Sequence, residues 1–159
     1  MILKIQADYQ KQQQLIPQED LDILMQTNLL ELVNLAERSE EEKQIFLQKF
    51  FILSWRIFFE TDGKSLSNED LEHVENLLKE GRFDAVQKCL EVKYPDLKIR
   101  MIKNSLLAKK LMIIEEIEKV LKEKEDPAEQ EFYQKLHKLA QIDEWKNFIY
   151  YSNKNVRSP

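Results

Sequence analysis

The chain has 159 residues, a length that suits one domain able to bury a core without metal or disulfide staples. With 2 Gly and 4 Pro against 43% hydrophobic and 33% charged residues, the composition excludes both a turn-rich β fold and a disordered chain. A net charge of -5 argues against a generic polyanion binder, because phosphate contacts require a basic surface.

Residues 1–16 are Gln-rich (Gln10, Gln12, Gln13, Gln14) and read as an extension of the fold. Met1 to Ile5 carry Lys4 in a very short apolar run, without the h-region or cleavage site of a secretion signal. The most apolar stretch, Phe50 to Phe59, is about half a membrane span and contains Arg56. The single Cys89 cannot form an intramolecular disulfide and reads as a buried, inert thiol. These features predict a cytoplasmic protein with no membrane contact.

A first helix is predicted from about Pro17 to Ala36, with proline in its first turn, Glu19 and Asp20 at its positive end, and Leu21, Leu24, Met25, Leu29 and Leu32 at helical spacing. Ser39 and Glu42 form a capping box that opens a second helix. Its apolar residues point almost all round the axis, which predicts a central helix on which only Lys49 and Arg56 reach water and Phe51 and Trp55 are buried. Gly63, in a Thr61–Lys64 turn, supplies its stop.

Ser67 caps a third helix that Gly81 closes, and a short fourth runs from about Phe83 to Val92, before Pro95. Asp96 is placed to cap the longest helix, which reaches about Glu125. Asp126, Pro127 and Glu129 start a sixth that carries Phe132, Leu136, Ala140, Trp145 and Ile149, leaving 152–159 as a polar tail. The fold class is therefore all-α: an irregular bundle of five or six helices over 17–151, with helix two and the long helix at its centre.

Lys79 to Glu91 resembles the turn and second helix of a tetratricopeptide repeat. Pro95 comes about a turn too early, however, and nothing recurs ~34 residues away, so an ordinary helical hairpin is the better reading. Glu60 to Leu71 has the outline of a calcium loop but places Lys64 and Leu71 at ligand positions, and an ammonium there repels a cation. Asp70 and His73 have the offset of a di-iron half-site, yet His137 has Gln134 at the matching offset and helix two brings no carboxylate. With two His, one Cys and two Gly, material for a nucleophile, its base and an oxyanion hole is nearly missing, and no phosphate-loop motif is present. No catalytic residue, cofactor or metal is predicted. Taken whole, the Leu/Glu/Lys/Gln-rich chain resembles small helical domains of bacteria, which implies the fold and no activity.

Two surfaces remain. On the long helix, Leu97, Met101, Ala108 and Met112 project to a third side, which is either threaded through the bundle or an interface; a six-helix domain needs central helices, which favours the first. Lys98, Arg100, Lys103, Lys109 and Lys110 form a basic segment with no acid between them, yet spread round the helix. The functional expectation is a non-catalytic interaction or scaffolding protein that binds another protein or itself. The alternative is a nucleic-acid-associated protein using that basic segment.

Overall fold

The computed structural model describes residues 15–32, 38–61 and 66–156, with side chains except at 31, 32 and 154–156. Within these, every regular element is a helix: α1 (Gln18–Gln26), α2 (Leu29–Leu32), α3 (Glu40–Thr61), α4 (Asn68–Lys79), α5 (Phe83–Glu91), α6 (Leu97–Glu123), α7 (Pro127–Gln141) and α8 (Trp145–Val156). The expectations placed on 1–14, Ala36 and Gly63 lie outside the described residues.

The polar signals at helix starts are used as the sequence suggests in three places. The Ser39, Ser67 and Asp126 side chains accept from the backbone N–H of Glu42, Asp70 and Glu129 at 3.2, 3.1 and 3.2 Å, satisfying donors that a first turn leaves open. Asp96 does not cap α6. Its carboxylate instead takes the Arg100 guanidinium at 2.9 Å, which holds its pKa below the usual carboxylate value. At the end of α4, Gly81 adopts φ 70° while its N–H donates to Leu78 and that of Arg82 to Leu77, the paired bonds of a Schellman stop.

Two expected helices are each broken in two. The first ends at Gln26 because Thr27 turns extended and returns its hydroxyl to the Ile23 carbonyl at 2.6 Å, while the Asn28 side chain accepts from the Leu30 N–H and starts α2. Short polar side chains that bond their own backbone compete with the helix in this way. The sixth ends at Gln141, where Asp143 takes φ 60° and the N–H groups of Asp143 and Glu144 donate to Ala140 and Leu139. This is a second Schellman stop, with aspartate in the place glycine usually holds. Residues 152–156, expected as tail, continue α8.

The buried residues form two clusters. In one, α6 packs with α3 from Phe46 to Ile57, with α1 and α2, and with α7 and α8 around Ile57, Leu107, Ile113, Trp145 and Phe148. In the other, the end of α3 meets α4, α5 and the start of α6 around Phe58, Val74, Val86, Leu90 and Tyr94. Helices α3 and α6 run through both, as their wide apolar coverage predicts. One expectation fails here. On α3, Ile45, Phe51 and Ile52 are exposed along with Lys49 and Arg56, because neighbours cover α3 on two sides and leave a flank open.

Candidate interaction surface

The adjacent lysines Lys109 and Lys110 of α6, expected in a basic patch, are both buried. Lys109 Nζ donates to the Leu24 carbonyl at 2.5 Å, to that of Met25 at 3.5 Å and to that of Thr27. Lys110 Nζ donates to the Gln141 carbonyl at 3.1 Å and pairs with the Asp143 carboxylate at 2.8 Å. Each ammonium thus sits at the negative C-terminal end of another helix, α1 or α7, where the last carbonyls lack intrahelical partners. They are internal clamps. Of the other three basic residues, Lys98 and Lys103 are exposed and Arg100 is half-buried, so the five do not share one surface.

Burial pushes the Lys109 ammonium down to about 8 from the ordinary 10.5. Across that window the unfolded chain keeps a proton that the folded chain has released, so raising the pH from 8 towards 10.5 adds stability. Replacing Lys109 with Met should cost about 1 to 3 kcal/mol at neutral pH, since it strips the donors from carbonyls at the end of α1. In paired urea unfolding curves, the gap between wild type and Lys109→Met should widen from pH 8 to 10 as other lysines and tyrosines cancel. A gap that narrows would contradict this placement.

The long-helix face singled out as a possible interface is mostly interior: Leu97, Ala108 and Met112 are buried, and Met101 alone is half-exposed. Leu97 and Met101 nevertheless line a surface whose other walls the sequence did not indicate. Helices α3, α5 and α6 wall an open groove of about 610 Å³, lined by apolar side chains including Phe51, Trp55, Phe83, Met101 and Ile102. Phe51 and Ile102 keep 47% and 41% of their surface exposed. The Phe51 and Phe83 rings meet at 5.6 Å and tie α3 to α5 at one end. A recess of about 270 Å³ continues the groove past Phe50 and Ser105 towards Met25 and Lys109. The hydroxyls in the wall are engaged internally, Ser54 donating to the Phe50 carbonyl at 2.9 Å and Ser105 to that of Ile102 at 2.8 Å.

The weaker motifs take ordinary places. Asp70 pairs with Lys93, which lowers the carboxyl pKa and raises that of the ammonium, while His73 is exposed. Cys89 is half-buried rather than fully enclosed. Lys79 to Glu91 is the α4–α5 hairpin, and positions 62–65 of the calcium-like segment lie outside the described residues. Among the described residues, no three His, Cys, Asp or Glu side chains are grouped to hold a metal, and no helix is long and apolar enough to cross a membrane.

No protein-family model matches the chain, no curated protein matches it and no solved structure does.

Proposed function

We propose that this chain is a non-catalytic helical interaction protein of the cytoplasm, and that the α3–α5–α6 groove is where it receives another protein. The observation that carries this reading is the open apolar groove itself, with Phe51 and Ile102 left near half exposure in its walls. Contiguous exposed apolar surface of this kind marks sites of association, and aromatic residues with methionine are the types enriched in such contacts. The nucleic-acid alternative gains no comparable support, since two of its five basic residues are clamps inside the fold.

The test compares proteins retained by the immobilised full chain with those retained by a Phe51→Asp, Ile102→Asp double variant, under conditions where both are folded by circular dichroism. A protein held by the wild type and lost from the variant is the expected result. Identical retention by both would contradict the reading. Light scattering on the same two samples decides whether the partner is a second copy: a wild-type dimer that the double substitution dissolves would identify self-association.

A further inference from the structure

The outer helices are fastened to the fold in two different ways. Around the larger cluster the fastenings are polar as well as apolar. Lys109 and Lys110 of α6 hold the ends of α1 and α7, Asp20 of α1 accepts from the Lys146 N–H at the start of α8 at 2.9 Å, and His137 of α7 meets Glu118 of α6 at 3.0 Å. The α4–α5 hairpin has no such tie. Among the described residues, no hydrogen bond or ion pair joins α4 or α5 to α3 or α6. What holds it is apolar: Val74, Leu77, Val86 and Leu90 share the smaller cluster with Trp55, Phe58 and Leu97, and Phe83 meets Phe51 at the edge.

Both helices of the hairpin also stand beside open grooves. The groove of about 610 Å³ runs along α5, and another of about 380 Å³ lies between α3 and α4. Arg56 of α3 and Glu75 of α4 line the second, yet among the described residues no ion pair crosses it. Within itself the hairpin is well tied. Asp70 of α4 pairs with Lys93 just beyond α5, and the bonds around Gly81 fix the turn between the helices. Apolar burial is non-directional, so it holds two bodies together without fixing one arrangement. A contiguous motif tied mainly to itself is the kind of unit that opens at less than the global unfolding free energy.

We infer that the α4–α5 hairpin opens from the α3–α6 body as one cooperative unit while the larger cluster stays folded. The open state bares Trp55 and Phe58 and withdraws Phe83, Asp84 and Gln87 from the groove, which therefore exists only in the closed state. The hairpin thereby gates that surface, whatever the surface receives.

Native-state hydrogen exchange of the full chain, followed residue by residue in low urea, tests this. The most protected amides of α4 and α5 should exchange at least about tenfold faster than those of α6 from Leu107 to Ile117. They should also share a smaller urea dependence, because a partial opening exposes less surface. Ile113→Val, in the larger cluster, should speed the α6 amides about fivefold and leave those of the hairpin unchanged, since Ile113 stays buried when the hairpin opens. Val86→Ala, at a position with 0% exposure, should speed exchange in α4 and α5 by the same factor, about tenfold.

Hairpin amides as protected as those of α6, or speeded equally by Ile113→Val, would mean that the hairpin comes away only with the whole fold. A response to Val86→Ala confined to α5 would mean that the two helices open separately. Either result overturns the inference, and the wild-type rates with their urea dependence decide the first point even if Val86→Ala does not fold.

Discussion

Truncation of Phe58 to Ala is expected to lower the unfolding free energy by about 3 to 5 kcal/mol, the range for removing a buried aromatic and leaving a cavity. Phe58 has 0% exposure, and its ring meets Tyr94 at 5.3 Å, Phe59 at 5.4 Å and Trp55 at 5.8 Å, all three in edge-on geometry. It therefore joins α3 to the segment that leads into α6, and few neighbours in so dense a cluster are free to collapse into the gap. Phe51→Ala, seven residues earlier on the same helix, should cost no more than about 1.5 kcal/mol, because only part of that ring leaves water on folding. Urea unfolding of the two variants at neutral pH gives both values. Equal losses would mean that the flank of α3 carrying Phe51 is covered after all.

The second large effect belongs to Asp143. Its carboxylate takes the Lys110 ammonium at 2.8 Å and the Trp145 indole N–H at 3.2 Å, with Asp143, Lys110 and Trp145 all buried. Substitution by Gly is informative because the residue has φ 60°, a conformation glycine reaches without the strain that costs other residues about 1 to 2 kcal/mol. Backbone relief alone would make Asp143→Gly stabilising. Removing one partner of a buried ion pair typically costs about 3 to 5 kcal/mol, so the two terms leave a net loss of about 1 to 4 kcal/mol. Thermal or urea unfolding reads the sign directly. A variant as stable as the wild type would show that the carboxylate contributes little and that the turn alone determines this position.

Much of the fold was legible because helix starts and stops are local chemistry. Ser39, Ser67 and Asp126 act on backbone groups three residues away, and Gly81 supplies a conformation few other residues adopt. The breaks at Thr27 and Asp143 were harder to see. Thr, Asn and Asp all occur within helices, and the apolar spacing runs on through both breaks: Met25 to Leu29 in one case, Leu139 to Ile142 to Trp145 in the other. The carbonyls and the carboxylate exposed at each break are met by side chains distant in sequence, Lys109 at the end of α1 and Lys110 at the end of α7. Reading those lysines as a surface patch followed from their charge, whereas their role depends on which helix ends lie beside α6.

The candidate site was only partly legible for a related reason. Leu97 and Met101, marked as surplus apolar surface, line the groove, but so marked were Ala108 and Met112, which the bundle buries away from it. A helical wheel shows how much of a helix is apolar, not which part its neighbours leave open. The short α5, ending before Tyr94 and Pro95, contributes only Phe83, Asp84 and Gln87 to the groove wall, so Phe51 and Ile102 remain open to solvent. That gap is a property of packing and has no signature in the spacing of α3 or α6.

The site's location can be tested directly with the methionine methyl groups. Met101 lines the groove, whereas Met112 is buried in the other cluster. In protein labelled with ¹³C at methionine methyl groups, with Met101→Leu and Met112→Leu used to assign the two signals, a saturating amount of a binding partner is added. The Met101 methyl resonance should shift while that of Met112 stays in place. A partner that binds and leaves Met101 unmoved would place the interaction elsewhere and contradict the groove as its site.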